Sequence, residues 1–359
     1  MTVLTEADVG VGSVGGGLGA LLRWIRPTFD NAPGHRPVLD IGYFANVVPV
    51  APNLGIAIST DGVGTKILVA EMARRFDTVG IDCVAMNVND VLCVGARPIS
   101  LVDYIAVEVA DPALLGPLGE GLARGCEEAG VNCPGGELAQ VREMLRGTSP
   151  GHAFDLVATA IGVVPLDRVL SGQAVSPGDV LVGLESTGLH SNGFTLARRA
   201  LLETGGLALD AVVPELGTTL ADAMLAPTRI YVRPVLGVLD AGIAVRALAH
   251  VTGDGLFNLT RTTRAVGFDI ERWPDVPPIF RLIQRLGGVP DEEMWRAFNM
   301  GIGFGIVVAP SDADRTLALL AETGVQAHVL GIATDDPERT IRVRPKGLVG
   351  RDGRFTLAG

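Results

Sequence analysis

LGIAISTDGVGTK, Leu54 to Lys66, is an apolar run that breaks into an acidic residue, two glycines and a lysine. Leu54 to Ser59 read as a β-strand, because short apolar runs that end in a glycine turn favour extended backbone. The residues beyond the strand end suit a metal-bound phosphate. Asp61 offers carboxylate oxygens to Mg²⁺, Gly62 and Gly64 allow close backbone approach to an anion, and Lys66 supplies a compact positive charge. This is not a Walker A loop, which needs GxxxxGK followed by Ser or Thr. Taken alone, the pattern fits a plain strand-to-helix connection equally well.

The next stretch shifts that balance. DTVGIDCVAMNVND, Asp77 to Asp90, predicts a helix over about Val79 to Gly95, with Cys83, Asn87 and Asp90 on one stripe opposite Ile81, Ala85, Val88 and Leu92. A solvent-facing helix would carry Lys, Arg or Glu on that stripe. Short polar groups there predict a cleft wall.

Around this centre, strands are expected near Val38 to Ile41, Ile99 to Val107 and Phe154 to Val164, and helices from about Leu18, Ile67 and Pro112. Pro165 to Gly178, with VSPGD as a turn, reads as a seam, which divides the chain into domains 1–168 and 169–359. Beyond it, strands are expected at Asp179 to Glu185, Ala265 to Ile270, Gly303 to Val308 and His328 to Ile332. Helices are expected at Asn192 to Leu202 and Thr218 to Ala226. Alternating strands and helices give an α/β and α+β fold class.

The second half carries two loops that each follow a strand and open a helix, and each begins with histidine. HSNGF, His190 to Phe194, places Ser191 or Asn192 as a helix cap; HVTGDGLFNL, His250 to Leu259, places Asp254 to cap a helix or face a metal. Either loop alone reads as an ordinary cap beside a buried histidine, and together they point to a ligand site between them. GGE, Gly135 to Glu137, reads as a further loop whose acid either completes a carboxylate set with Asp61 and Asp90 or lies on the surface. His35, His152 and His328 lack partner spacing and read as structural.

Composition bounds the function. The chain has 359 residues, a net charge of -11 and 48% hydrophobic content, which fits two well-buried domains and opposes a large basic nucleic-acid surface. No run approaches a membrane span, and the acidic start MTVLTEADVG lacks a secretory signal, so a soluble cytoplasmic protein is expected. Cys83, Cys93, Cys126 and Cys133 form no CxxC pair and read as small buried hydrophobes. Lys66 and Lys346 are the lysines among 29 Lys and Arg residues, which hints that a point charge is wanted at position 66.

Several motifs, in order, resemble the phosphoribosylformylglycinamidine cyclo-ligase (AIR synthetase) family: DGVGTK, the helix from Asp77 to Asp90, GARP (Gly95 to Pro98), LVDYIA (Leu101 to Ala106), GGE, GDVLVGLESTGLHSNGFTLAR (Gly178 to Arg198), HVTGDG (His250 to Gly255) and EMWRAFNMGIGF (Glu293 to Phe304). The resemblance covers nearly the whole chain, most closely Thr60 to Pro310. It implies a two-domain fold in which the N-terminal domain contributes strands to a β-barrel between two subunits of a homodimer, next to a C-terminal α+β domain. It also implies ATP-dependent closure of formylglycinamidine ribonucleotide to aminoimidazole ribonucleotide in purine synthesis, with ATP and Mg²⁺ as cofactors and no nucleic-acid or membrane partner.

By that resemblance Asp61, Gly62, Gly64, Thr65, Lys66, Asn87, Asp90 and Glu137 bind the nucleotide, with Asp61, Asp90 and Glu137 on the metal. His190, Ser191, Asn192, Gly193, Thr252 and Gly253 face the substrate, while His190, His250 and Lys66 are the expected catalytic groups. The chain departs from the family pattern at three places. GGETAEMP is replaced by Gly135 to Arg142, HITGGG by HVTGDG with Asp254, and GGFGG by Ile41 to Ala45. Two further readings remain open: a paralogue of the same fold that phosphorylates another small molecule, and a nucleotide-binding protein without turnover.

Overall fold

The structure is a computed structural model that describes residues 4–6, 8 and 15–358. Its first half holds α1 (Gly15–Ile25), β1 (Asn46–Ala51), β2 (Leu54–Gly62), α2 (Lys66–Ala73), α3 (Asp77–Cys93), β3 (Arg97–Val107), α4 (Pro112–Ala129), β4 (Gly136–Gln140) and β5 (Phe154–Val164). The strands form one sheet in the order β1-β2-β5-β3-β4. All neighbours are antiparallel except β3 and β4, which run parallel.

Alternation sorts the faces of this sheet. In β5 Phe154, Leu156, Ala158 and Ala160 are buried, and the residues between them are only partly covered. The buried face packs on α3. The other face exposes Ile58, Val102 and Tyr104.

Helix α3 is held by α4 through bare backbone. A Cβ on Gly80 would lie 2.4 Å from Leu122 N, and one on Gly121 would lie 2.0 Å from Asp77 O, so the glycines give the close approach that offsets their weak helix propensity. Asp111 caps α4 by accepting from Ala113 N–H, Pro112 sits in its first turn, and Gly130 ends it in the left-handed conformation. The expected strand at Val38 to Ile41 is not formed: Val38 and Leu39 bend, Asp40 is irregular, and Ile41 makes only an isolated bridge with Tyr43. The chain pairs instead at β1, whose internal Pro49 is tolerated because β1 is an edge strand with a register shift at that residue.

The second half holds β6 (Val180–Glu185), α5 (Phe194–Arg198), β7 (Val212–Val213), β8 (Thr218–Thr219), α6 (Leu220–Leu225), α7 (Val232–Asp240), β9 (Ala247–His250), β10 (Gly267–Ile270), α8 (Pro278–Gly287), α9 (Asp291–Ala297), β11 (Ile302–Val308), α10 (Ala313–Glu322), β12 (Ala327–Thr334), β13 (Ile341–Val343), β14 (Leu348–Arg351) and β15 (Arg354–Leu357). Eight strands form a mixed sheet in the order β15-β14-β13-β10-β12-β6-β11-β9, and β7 pairs with β8 alone. Every residue of β11 is buried, as expected for a strand flanked on both sides, here by β6 and the edge strand β9, and covered on both faces. Among the described residues no helix is long and apolar enough to cross a membrane.

Candidate active site

The site forms where β2 and β9 end against α3. Asn87 fastens the first loop: its amide oxygen accepts from Asp61 N–H at 2.9 Å, and its amide nitrogen donates to Asp61 O at 3.0 Å and Cys83 O at 2.8 Å. Cys83 and Asn87 are therefore buried under β2, and of the stripe expected to wall a cleft only Asp90 keeps any exposure. Asp90 is held from the second half, with His250 Nδ1 2.9 Å from its Oδ1. The other ring nitrogen lies 3.5 Å from Asn89 Nδ2, a donor, so the contacts select the tautomer protonated at Nδ1.

Asp61 sits beside this pair. Burial, then the like charge of Asp90, pushes its carboxyl up to about 6, against the opposing pull of Gly62 N–H, His250 and Arg261. Two carboxylates that repel each other in a half-buried recess suit a divalent cation. Mg²⁺ on nucleotide phosphates needs only one or two protein carboxylates and keeps its waters. The expected third member is elsewhere. Glu137 lies in strand β4 and not in a loop, is exposed, and is in register with Tyr104, Val157 and Gly62 across the sheet. Alternation therefore puts it on the opposite face from Asp61. Among the described residues no three acidic, histidine or cysteine side chains gather as a metal set.

Lys66 also turns away from the open side of its loop. Its ammonium is fully buried, donates to Asp82 Oδ1 at 2.9 Å and to Ala226 O at 2.7 Å, and lies 2.8 Å from Asp82 Oδ2. The structure brings Lys66 to Asp82 and a carbonyl, fully buried and away from the open side of its loop.

The two histidine loops meet the first loop. The Ser191 carbonyl oxygen would lie 3.9 Å from a Cβ on Gly64, Thr65 Oγ1 and Thr195 Oγ1 are 3.0 Å apart, and a Cβ on Gly253 would lie 3.4 Å from Asn192 Oδ1. Gly64 and Thr65 thus meet the HSNGF loop and its helix, and Asn192 of that loop meets Gly253 of the HVTGDG loop; Gly62, Gly193 and Thr252 are their chain neighbours, with Gly62 against Leu156 and Val157 and Gly193 against Phe298. His190 lies beneath this junction, buried, with φ of 60°. Its Nε2 accepts from Thr187 N–H at 3.2 Å and Arg229 N–H at 3.5 Å. Burial first, then the charges of His250, Lys66 and Arg229, holds its pKa well below the ordinary value, so the ring is neutral. Neither histidine ring is exposed.

The caps differ from expectation. Helix α5 starts at Gly193 in the left-handed conformation with no side-chain cap, and Ser191 Oγ instead meets Thr228 Oγ1 at 3.0 Å. Asp254 caps nothing and pairs with Arg261 at 2.7 Å. The guanidinium of Arg261 stacks 5.1 Å from the Phe44 ring, which brings the Ile41 to Ala45 segment to the same loop. Cys83, Cys93 and Cys126 are buried as expected, while Cys133 is exposed.

Asp82, Asn89, Thr228 and Arg261 were not singled out by sequence reading. One signal was available for Asp82: an acid inside an apolar helical run with no basic residue one turn away requires a distant cation. A cavity of about 650 Å³ lies at the other end of the first sheet, lined by Leu54, Arg97, Arg168, Leu236 and Asp240 among others, and none of the junction residues borders it.

The sequence matches the AIR synthase related protein N-terminal domain over residues 42–164 and the corresponding C-terminal domain over residues 176–344. It is 49% identical over 294 residues to the phosphoribosylformylglycinamidine cyclo-ligase of Methanothermobacter thermautotrophicus, covering 82% of this chain and 84% of that one. It is 42% identical over 305 residues to the enzyme of the same name from Methanobrevibacter smithii, covering 85% and 87%. Among solved structures, hydrogenase maturation protein HypE shares the fold at a TM-score of 0.57 and 19% identity, covering 82% of this chain and 85% of that one. T. maritima PurL complexed with ADP does so at 0.56 and 18%; 86% of this chain is covered but only 45% of PurL. The chain therefore belongs to the AIR synthase related family, and within it to the phosphoribosylformylglycinamidine cyclo-ligases.

Proposed function

We propose that the protein closes formylglycinamidine ribonucleotide to aminoimidazole ribonucleotide at the expense of ATP, the step that forms the imidazole ring in purine biosynthesis. The observation that carries this reading is the 49% identity to a cyclo-ligase along most of both chains, in a molecule whose three loop motifs meet at one junction. In this reaction the formyl amide oxygen is phosphorylated, the amidine nitrogen attacks the activated carbon, and phosphate leaves. Phosphoryl transfer depends mainly on positioning and charge neutralisation.

ATP lies with its phosphates over Asp61 to Thr65, a reading supported by the open, left-handed backbone at Gly64. Asp61 and Asp90 would hold Mg²⁺, which neutralises phosphate charge when bound. Asn87 fixes the loop, and His250 orients Asp90. Asn192, Gly193, Thr252 and Gly253 face the ribonucleotide, while His190, Ser191 and Lys66 support that wall from behind. Glu137, on the far face of the sheet, is assigned outside the metal set.

The exposed apolar face of the first sheet, with Ile58, Val102 and Tyr104, supports a homodimer in which two such sheets close on each other. We divide the chain near residue 168 and place the protein in the cytoplasm. The test of function is incubation with ATP, Mg²⁺ and formylglycinamidine ribonucleotide, following ADP and aminoimidazole ribonucleotide together. Both products at equal rates support the reading; ADP release that needs another acceptor overturns it.

A further inference from the structure

Helix α3 touches the site with two different faces. Asn87 and Asp90 face β2 and His250, whereas Asp82 and Asn89, seven residues apart and so two turns along one face, grip the segment from Ala226 to Tyr231. Asp82 Oδ1 accepts from Thr228 N–H at 2.7 Å and from Thr228 Oγ1 at 2.6 Å, besides its bond from Lys66. Asn89 donates to Arg229 O at 2.9 Å and accepts from Tyr231 N–H at 2.9 Å.

The gripped segment in turn carries the HSNGF loop. Because the Thr228 hydroxyl hydrogen goes to Asp82, Ser191 Oγ is the donor in its 3.0 Å contact with Thr228 Oγ1. Arg229 N–H reaches His190, and Thr187 Oγ1 donates to Pro227 O. Lys66 closes the circuit from the other side: it opens α2 directly after the DGVGTK turn and lies 5.6 Å from the Phe194 ring at the start of α5. Among the described residues, the direct polar links that join the start of α2 to Thr228 and Ser191 pass through this one buried carboxylate and its lysine, beside a second route along α3 through Asn89, Arg229 and His190 and the surface contact of Thr65 with Thr195.

We infer that Asp82 is a positioning residue that sets the HSNGF loop against the DGVGTK loop, with Lys66 as its charge partner and Thr228 as its arm. It touches neither ligand. This inference rests on the proposed reading for what the loops bind, and on geometry alone for the clamp itself. A pair so deeply buried is weak evidence for stability, since apolar residues of similar volume often serve as well, and removing one charge alone leaves the other stranded. Its value lies in fixing where Ser191, Asn192 and the backbone between them stand.

Asp82→Asn risks misfolding, because it strands Lys66. Thr228→Val keeps the ion pair and the backbone N–H bond to Asp82 but removes both hydroxyl links, to Asp82 and to Ser191, and the double variant Lys66→Met with Asp82→Leu removes the charges together. Amide hydrogen exchange of the ligand-free variants reads the clamp without any assumption about function. Protection of residues 187–195 should fall at least about tenfold in both while the helix α3 core stays protected. Calorimetric titration with formylglycinamidine ribonucleotide and, separately, with a non-hydrolysable ATP analogue should then show substrate affinity weakened about tenfold or more and nucleotide affinity within about twofold. Unchanged exchange at 187–195 overturns the clamp. Changed exchange with both affinities equally weakened, or neither, overturns the positioning role. Wild-type protein that fails to bind the ribonucleotide fails the functional reading and leaves the exchange result standing.

Discussion

The two loops that begin with histidine look alike as sequence and are built as opposites. HVTGDG starts at the end of a regular strand, and His250 is a link between a carboxylate and an amide of the other half of the chain. HSNGF starts with a histidine in the left-handed region, at φ of 60°, and its ring folds back to accept backbone N–H groups of its own half. The first histidine transmits a position outward to Asp90, which keeps some exposure. The second is a pin inside a turn, and a Cβ on Gly303 would come within 2.3 Å of its ring. A shared motif thus says that a strand gives way to a site-bearing loop, and the partners of the ring decide whether it acts across the molecule or within a turn.

The sharpest way to separate the loops is at the groups they hold. Asp90→Asn should lower turnover about a hundredfold or more while the thermal midpoint stays near wild type, measured by steady-state kinetics beside calorimetry. A drop in midpoint with turnover of the folded fraction intact would make the His250 loop structural. His190→Ala should weaken the ribonucleotide about tenfold and ATP by less, because the pin carries the substrate wall; equal weakening of both would remove the contrast. His190→Asn, which tolerates a positive φ, should recover part of that loss.

Asp61 gives a smaller effect with a defined sign. Its folded pKa is about 6, above the unfolded value near 3.8, so the native state holds a proton that the unfolded chain releases between those values. Stability of the ligand-free wild type should fall as pH rises from about 4 to 6 and stay lower above it. Asp61→Asn keeps an oxygen for Gly62 N–H and should be about 1 to 2 kcal/mol more stable at pH 8 than wild type, yet inactive. Equal stability at pH 8 would mean that the repulsion from Asp90 is already relieved in the free protein. Asp254→Ala, which breaks an exposed pair with Arg261, should change stability by less than about 0.5 kcal/mol, as equilibrium unfolding can check.

The fold was largely legible because the decisive stretches obey simple periodicities. Phe154 to Val164 alternates and is a strand over those residues; the Asp77 to Asp90 stretch lies within a helix. Errors arose where local chemistry was overruled by a neighbour. A strand was expected at Val38 to Ile41 where the sheet edge instead takes Asn46 to Ala51 with its internal Pro49, and Gly135 to Glu137 looked like a loop although Gly136 begins an edge strand paired with Asp103. At the site, sequence spacing gathered the loops but left side-chain direction undecided. Lys66, in a loop that suits an anion, points to Asp82, which lies 16 residues on and one helix away. No periodicity encodes that choice, since it depends on how α2 and α3 pack on each other and on the carbonyl of Ala226 that the second half brings up.

The glycine seam between α3 and α4 gives this arrangement an unusual vulnerability. Helix α3 spans 17 residues, about 25 Å, and carries both Asp82 and Asp90 on one rigid rod. Gly80, Gly121 and Gly125 set the depth at which that rod lies. A single methyl group added at the seam, remote from any ligand, would shift the rod as a whole. Substrate wall and nucleotide loop would then drift out of alignment in the same event, so a defect there would imitate simultaneous damage at two separate places.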